Sequence, residues 1–296
     1  MLDLSGFEHQ PVRCAGLGEV LFDLYEDGPH LGGAPANFAY HCQQHGLAAL
    51  VISAVGRDAL GLQARLALAR SFLPSLLFEN DQPTGAVHVT LENGTAHYDF
   101  EPRSAYDALP RLPELLELAG ELDAVCFGTL AQRSECSRQT IMAFLEAMPQ
   151  RALRIFDVNL RAGFYSPEVI AASLKHANIV KCNERELGVL CDMAGVPREA
   201  QAYRSYLREQ GIDCFICTTG SVESTVFFNN IVSTMPSPRV RVVDTVGAGD
   251  AFLATLLAAL LRNATVDGAH ALAADYAAFV CTQSGGMPQV PRSLTR

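Results

Sequence analysis

The amino-acid sequence predicts an α/β fold in which helices cover both faces of a mostly parallel central sheet. Short apolar runs alternate with longer helical segments along most of the chain. Asp, Asn, Thr or Gly directly follows many of these runs, as at the carboxyl edge of a parallel sheet. Alternating segments on both sides of Asn93-Gly94 indicate a β-hairpin, typical of a small lid. We therefore expect one domain over residues 1–296, with lid elements at about 20–31 and 85–102.

Bulk composition excludes several classes of protein. The 296 residues are 49% hydrophobic and 18% charged, which is typical of a globular chain. The formal net charge is −10, with Lys175 and Lys181 as the only lysines, so we expect no nucleic-acid partner. No apolar run reaches the length of a membrane span, and the N-terminus lacks a signal-peptide pattern. The sequence thus predicts a cytoplasmic protein with no membrane partner.

The first half of the chain supplies two core strands and the hairpin. Residues 13–23 predict a buried first strand ending in polar groups, and residues 27–33 are expected to break regular structure. Pro35 opens a predicted helix that Gly46 stops. A second core strand (50–56), a helix (60–71) and the hairpin strands (86–91 and 95–100) are expected to follow.

The second half resumes the alternation of strands and helices. The expected strands are 124–127, 154–158, 179–181 and 214–218, followed by a hairpin that turns at Asn229-Asn230. The apolar run 238–243 predicts a strand, and the run after Asp250 predicts a long buried helix. A last helix is expected over about 269–282.

Cysteine and histidine spacing offers no convincing metal or redox site. We expect the nine cysteines to be reduced, buried, small apolar residues. Cys214 and Cys217 form a CxxC within a strand, where residues three apart point to opposite faces. His41 and His45 share one helix face without a metal motif, and we expect that face to be solvated.

The stretch DTVGAGDAF, residues 244–252, combines the features of an anion site. Gly247, Ala248 and Gly249 allow an anion to approach backbone N–H groups at a helix start, where the dipole favours negative charge. Asp250, set beside them, is a candidate general base for phosphoryl transfer to a hydroxyl. A Gly-rich turn capped by an Asp is the alternative.

Other candidate site residues stand where predicted strands end or helices begin. Any one of them alone is better explained as a helix cap. Together they indicate a binding site at one edge of the sheet. They are Glu19, Asp23, Gly32, Gly33, Asn37, Asp157, Asn159, Arg161, Asn183, Glu186, Thr218, Thr219 and Gly220.

The chain resembles the ribokinase-like PfkB family of carbohydrate kinases, and within it the fructokinases. DTVGAGD matches the family's D-T-x-G-A-G-D signature, and LGGAPANFA matches its N-terminal GGxxxN element. SAVGRDALG, PTG, DVNLR and KCNERE match further family blocks in the same order along the chain. The absence of GxxxxGK[ST] excludes a P-loop kinase.

The resemblance implies an enzyme that transfers the γ-phosphoryl group of ATP to a sugar hydroxyl, most simply of D-fructose. Asp250 would be the general base, and the backbone of Gly247, Ala248 and Gly249 would form the anion hole. The sugar would be held by five further residues, namely Asp23, Gly32, Gly33, Asn37 and Arg161.

The resemblance also implies a nucleotide side with its ions. Thr218, Thr219, Gly220 and Ser221 would lie along the nucleotide, as would Asn183, and residues 277–285 would help enclose the adenine. Asn183 and Glu186 would influence Mg²⁺ through water. A monovalent cation such as K⁺ would bind Asp244 and the carbonyls near Val246 and Gly285.

Three alternatives remain open from the sequence. A sugar acid, ribose or a nucleoside is an alternative acceptor, with Arg57, Arg103 or Arg161 as the cationic partner of an acid. Glu223 stands where the family usually has glycine, which favours a non-catalytic binding protein. The lid could pack against a second lid in a homodimer or cover only its own site.

Overall fold

A nine-stranded sheet forms the centre of the molecule. The computed structural model describes residues 1–7, 11–25, 28–92, 95–161 and 163–295. The predicted turn at Asn93-Gly94 lies outside what the structure describes. In chain order the strands are β1 (Arg13–Leu17), β2 (Leu21–Tyr25), β3 (Gly28–Gly32), β4 (Ala48–Gly56), β5 (Ser75–Asn80), β6 (Gly85–Glu92), β7 (Thr95–Phe100), β8 (Ala124–Phe127), β9 (Leu153–Asp157), β10 (Ile179–Asn183), β11 (Cys214–Thr218), β12 (Glu223–Phe228) and β13 (Ile231–Pro236).

Strand order in the central sheet is β13-β12-β11-β10-β9-β8-β1-β4-β5. All neighbours pair in parallel except β11–β12 and β12–β13, which form antiparallel pairs at one edge. The carboxyl ends of the parallel strands therefore lie at one edge of the sheet, where ligands bind in open α/β folds.

Helices cover both faces of this sheet, as the sequence predicts. The helices are α1 (Ala34–Gln44), α2 (Ala59–Arg70), α3 (Pro113–Gly120), α4 (Glu135–Ala147), α5 (Pro167–His176), α6 (Glu184–Ala194), α7 (Ala200–Glu209), α8 (Ala248–Leu261) and α9 (Val266–Cys281). One apolar cluster joins α1, α2, α8 and α9 to the sheet, and a second joins α3 to α7 to the other face. Cys214 belongs to the first cluster and Cys217 to the second, which confirms that this CxxC points to opposite faces. The expectation of buried cysteines was wrong for Cys136, which is exposed on α4.

A second, four-stranded sheet has the order β3-β2-β6-β7 and stands apart from the first. Its β6–β7 pair is antiparallel and confirms the predicted hairpin strands. The prediction of one strand over residues 13–23 was wrong, because Gly18, with φ of 149°, separates β1 from β2. The expected irregular segment 27–33 was also wrong, since Gly28–Gly32 pairs with β2 as a strand.

The predicted strand over residues 238–243 is not formed, and the chain there is irregular. Pro238 lacks an N–H group and cannot continue a sheet ladder in the way the preceding strand does. Val243 instead donates its N–H to the Cys281 carbonyl at 2.8 Å, which ties this segment to the end of α9. Val240 and Val242 remain partly exposed and border a cavity described below.

The expectation of a solvated face at His41 and His45 was wrong, since both side chains are buried. His41 lies on α1 and His45 directly follows it. Because α1 packs against α8, the face that carries both side chains lies inside the molecule. His45 Nε2 lies 2.8 Å from the Thr255 hydroxyl of α8. Burial lowers the pKa of each imidazole to about 4, so both are neutral near pH 7.

Candidate active site

The first turn of α8 brings Asp250 to the centre of the candidate site. Asp250 is 8% exposed, and its Oδ2 accepts a hydrogen bond of 2.8 Å from Asn37 Nδ2 of α1. These two predicted site residues are 213 positions apart in sequence. Burial, followed by the charge of Asp157, raises the pKa of Asp250 to about 6, while Lys181 and the Asn37 bond oppose the rise.

Gly247 lets the chain turn into α8 in a conformation that side chains avoid. It is the N-cap of the helix, with φ of 75° in the left-handed region. A Cβ at this position would also lie 2.6 Å from the Cα of Gly286. The predicted anion hole, Gly247, Ala248 and Gly249, therefore begins a helix whose first N–H groups lack intrahelical acceptors.

The loop at residues 284–286 supports both Asn37 and the helix start. A Cβ on Gly286 would lie 2.7 Å from Asn37 Oδ1, so only glycine fits between the two. The imidazole of His41 donates from Nε2 to the Gly286 carbonyl at 2.9 Å. Because Nδ1 of the neutral ring is then an acceptor, the Tyr276 hydroxyl donates to it at 3.0 Å.

Asp244, the predicted ligand of a monovalent cation, joins the same loop to the anion hole. Its Oδ1 accepts from Val246 N at 3.0 Å, and its Oδ2 accepts from Gly285 N at 2.9 Å. The chain segments whose carbonyls were predicted to share the cation thus meet at this carboxylate. The contacts in the structure explain Asp244 as a clamp between two loops.

The second sheet contributes Asp23, from β2, which was predicted to bind the sugar. A Cβ on Gly32 would lie 3.0 Å from Asp23 Oδ2, and one on Gly33 would lie 2.4 Å from the Glu19 carbonyl. Both glycines therefore allow close approach of the chain before α1. Burial raises the pKa of Asp23 to about 6, against the lowering effect of Arg161.

The charge of Arg161 acts on three carboxyl groups of the candidate site. Arg161 follows β9, and its charge lowers the pKa values of Glu19, Asp23 and Asp250. Glu19 is 2% exposed, and burial raises its pKa to about 7. The structure thus brings Asp23, Asn37, Arg161 and Asp250 into one region, and their roles there stay predictions.

Asn183 and Glu186 form a capping box at the start of α6. Asn183 Oδ1 accepts from Glu186 N at 3.0 Å, and Glu186 Oε2 accepts from Asn183 N at 2.8 Å. The other Glu186 oxygen accepts from Leu160 N at 2.9 Å. Burial raises the pKa of Glu186, against the charge of Lys181. This pair therefore fixes the strand end to the loop after β9.

This donor set fits a hydrated metal better than a dedicated protein cage. Both Glu186 oxygens already accept backbone N–H groups, and the side chain is buried. In the described part of the chain, no group of three or more His, Cys, Asp or Glu side chains is placed to hold a metal ion. Mg²⁺ commonly keeps several waters and binds through substrate phosphates, which matches a site of this kind.

A cavity of about 570 Å³ borders the first turn of α8. Thr218, Gly220 and Ser221 line it, whereas the Thr219 hydroxyl is turned to the Glu223 carbonyl at 2.8 Å. Its apolar lining includes Val240, Val242, Phe252, Ala274, Ala277 and Ala278. Ala277 and Ala278 belong to the predicted adenine region, while Val240 and Val242 were expected in a strand.

Two charged residues at this cavity bear on the effect of Glu223, which stands where glycine is usual. Glu223 is exposed at the start of β12 and borders the cavity. Arg239 borders the same cavity. The cavity therefore presents a positive charge besides the Glu223 carboxylate, and water screens both exposed charges.

Lys181 and Asp157 form a buried ion pair beside this centre, which sequence analysis did not identify. Lys181 Nζ donates to both Asp157 oxygens at 2.8 Å. A Cβ on Gly249 would lie 3.0 Å from the same Nζ. A lysine inside an apolar strand, in a chain with only two lysines, was the available signal.

Comparison with known proteins identifies relatives over nearly the whole chain. The model of the pfkB family of carbohydrate kinases matches residues 23–292. A fructokinase of Klebsiella pneumoniae is 30% identical over 300 residues, covering 93% of this chain and 95% of the relative. An aminoimidazole riboside kinase of Salmonella typhimurium is 37% identical over 149 residues, covering 46% of this chain and 45% of the relative.

The same architecture occurs in a solved structure. The crystal structure of a fructokinase from Xylella fastidiosa with bound ATP superimposes with a TM-score of 0.81 at 20% identity, covering 94% of each chain. No helix in the described ranges is long and apolar enough to cross a membrane.

Proposed function

Because the chain belongs to the pfkB family of carbohydrate kinases, we propose that it is a fructokinase that uses Mg²⁺ and ATP. Family membership makes it a phosphotransferase with an alcohol group as acceptor, which argues against the non-catalytic alternative. The single observation that carries the proposal is the buried Asn37–Asp250 pair at the first turn of α8, between the acceptor side and the nucleotide-side cavity. Fructose is the acceptor we favour because full-length relatives at 30% identity are fructokinases.

Asp250 accepts the proton of the attacking hydroxyl in this mechanism. Asn37 holds Oδ2, so Oδ1 is the oxygen that takes the proton. With a pKa of about 6 the carboxyl is ionised at neutral pH and is a stronger base than an exposed carboxylate. Its burial excludes water that would compete for the same oxygen.

The phosphoryl group passes from ATP to the sugar in line with this base. A bond forms between the sugar oxygen and the γ-phosphorus, and the bond to the β–γ bridging oxygen breaks. ADP leaves with the bonding electron pair, and the sugar proton goes to Asp250. The N–H groups of Gly247, Ala248 and Gly249 stabilise charge on the transferred group, helped by the α8 dipole.

The acceptor is oriented by groups that lie beside Asp250. Asp23 accepts hydrogen bonds from sugar hydroxyls, and Arg161 donates them. Gly32 and Gly33 leave room for the sugar ring, since side chains there would collide with Asp23 or the Glu19 carbonyl. Asn37 positions both the base and the hydroxyl that it deprotonates.

The nucleotide occupies the cavity between β11, α8 and α9. Thr218, Gly220 and Ser221 lie along its phosphates and ribose, Thr219 shapes their turn, and Asn183 reaches the phosphates. Asn183 and Glu186 would hold a hydrated Mg²⁺ through its water ligands, and the ion would supply positive charge to neutralise the phosphates. Asp244 and nearby carbonyls are the proposed ligands of K⁺. A cytoplasmic location and lid-mediated dimerisation remain predictions from the sequence.

A panel of acceptors assayed for ADP release tests the substrate assignment. We expect fructose to give the highest kcat/KM among fructose, ribose, 2-keto-3-deoxygluconate and a nucleoside. A higher value for a nucleoside would favour a riboside kinase, the second candidate, which the relative with 37% identity over 149 residues supports. A fructose rate no better than the others would overturn our assignment.

A further inference from the structure

We propose that Lys181, held in place by Asp157, donates a hydrogen bond to the transferred phosphoryl group and is a further catalytic residue. This inference rests on the proposed phosphoryl transfer. Four observations support it: the pairing of Lys181, its unused donor, its position against Gly249, and the cost of burying it.

The pairing fixes the ammonium group rigidly. Lys181 of β10 and Asp157 of β9 are register partners on adjacent parallel strands. Both carboxylate oxygens accept from Nζ at 2.8 Å, and the two side chains are 9% and 3% exposed. A lysine held by two short bonds loses the freedom that normally blurs the position of its charge.

One donor of this ammonium is left for a ligand. An ammonium carries three N–H groups, and two of them are used by Asp157. Among the described residues, no acceptor other than Asp157 lies within hydrogen-bond distance of Nζ. Lys181 also forms no ion pair with Asp250 in the described structure, although each shifts the pKa of the other. The ammonium is thus close to the base without being bound to it.

The ammonium group lies against one residue of the predicted anion hole, Gly249. A Cβ on Gly249 would lie 3.0 Å from Nζ and 3.3 Å from Cε, so Lys181 packs directly against the first turn of α8. This is where backbone N–H groups and the helix dipole favour an anion. Glycine at position 249 therefore leaves its own N–H accessible and leaves room for the side chain of Lys181 packed against it.

A buried ion pair in this place calls for an explanation beyond stability. Removing two charges from water costs several kcal/mol, and apolar residues of similar volume often stabilise a fold as well or better. A fixed ammonium in a dry site, in contrast, strongly stabilises charge that develops on a phosphoryl group, because little reorganisation is needed. The geometry therefore favours a catalytic role for the pair.

The decisive variant removes both charges at once, Lys181→Met with Asp157→Asn. Lys181→Met alone would leave the Asp157 carboxylate buried and unpaired, which could prevent folding. Lys175→Met is the matched control, because it changes the only other lysine, which is exposed on α5. Thermal melting of both variants checks that the fold is kept.

Nucleotide affinity, measured by calorimetry without any sugar, separates the proposed contact from a structural role. We expect the double variant to bind a non-hydrolysable ATP analogue about tenfold more weakly, with ADP affinity within about twofold of wild type. Equal losses for both nucleotides, or no loss for either, would overturn the proposal. A native-like melting curve with wild-type affinities would do so most plainly.

Turnover gives the second measurement, on the acceptor that wild-type protein phosphorylates best. We expect kcat of the double variant to fall about 100-fold while the KM for the acceptor changes little. An unchanged kcat in a folded double variant would contradict a catalytic role. Failure of the fructokinase proposal would look different: wild type would not prefer fructose, while the difference between ATP-analogue and ADP affinity would remain.

Discussion

Asp250 shows how burial and hydrogen bonding tune one carboxylate. Burial and Asp157 raise its pKa to about 6, while Lys181, Asn37 and Arg161 oppose the rise. Asp23, on the acceptor side, reaches a similar pKa of about 6 through burial. With Glu19, whose pKa burial raises to about 7, they make three carboxyl groups with raised pKa values on which the charge of Arg161 acts.

These pKa values predict the acid side of the pH profile. A general base works only when deprotonated, so kcat/KM should be full well above pH 6 and fall as pH drops through 6. If Asp23 must also be ionised, the fall should exceed tenfold per pH unit. Steady-state rates between pH 5 and 8 measure this, and Asp23→Asn should reduce the steepness. A flat profile down to pH 5 in folded protein would contradict the assignment.

For single residues, prediction from the sequence succeeded where a local motif fixes the backbone geometry. It failed where residues of distant elements determine the surroundings of a side chain. The GAG triplet before Asp250 identified the helix start because glycine and a following apolar run indicate it locally. Lys181 was missed because its partner Asp157 lies on another strand. For His41 the same limit applied, since the residues that cover α1 come from α8 and α9.

At the scale of elements, the loop 284–286 connects four parts of the site. It contacts Asn37 of α1, the Gly247 turn, the Asp244 clamp and the imidazole of His41. Nothing in the local sequence SGGM announces these contacts, which depend on how α1, α8 and α9 pack together. The irregular segment before Asp244 was also mispredicted from its local sequence. Val240 and Val242 suggested a strand, but in the fold they border the cavity beside the first turn of α8.

Gly286→Ala tests whether this loop positions Asn37. The added Cβ would lie within 3 Å of three Asn37 side-chain atoms, so Asn37 must move away from Asp250. We expect kcat to fall at least about tenfold and stability to fall by about 1–3 kcal/mol. Gly120→Ala is the control, because its Cβ would have no neighbour closer than 3.9 Å. Equal kcat for the two variants would exclude a positioning role for this loop.

At the scale of the molecule, two sheets approach the site from different sides. Most strands of the parallel sheet were predicted correctly, because they are apolar runs ended by polar residues, whereas the edge strand β5 was not predicted. The second sheet was only partly predicted, since β2 and β3 lack a clear alternating pattern of apolar and polar residues. Phe100 of β7 meets Phe164, after β9, with ring centroids 5.7 Å apart, which joins this sheet to the loop that follows Arg161.

The second sheet should keep water from the phosphoryl group. We expect wild-type protein without sugar to hydrolyse ATP at least about 100-fold more slowly than it phosphorylates sugar, because closure completes only with the acceptor bound. Phe164→Ala removes the ring contact and should raise the ratio of hydrolysis to transfer. Coupled assays of ADP with and without sugar measure both rates. Sugar-free hydrolysis as fast as transfer would show that the sheet is not a lid.

The most direct test of the account is the turnover of Asp250→Asn. The amide keeps the shape and the contact with Asn37 but cannot accept the proton, so kcat should fall about 10³-fold or more. Affinity for the ATP analogue should stay within about threefold of wild type, and the melting temperature should not fall, because a buried carboxylate has been removed. Asp275→Asn, on the exposed face of α9, should leave all of these unchanged. A folded Asp250→Asn variant with near-normal kcat would contradict the central claim that this carboxylate is the base.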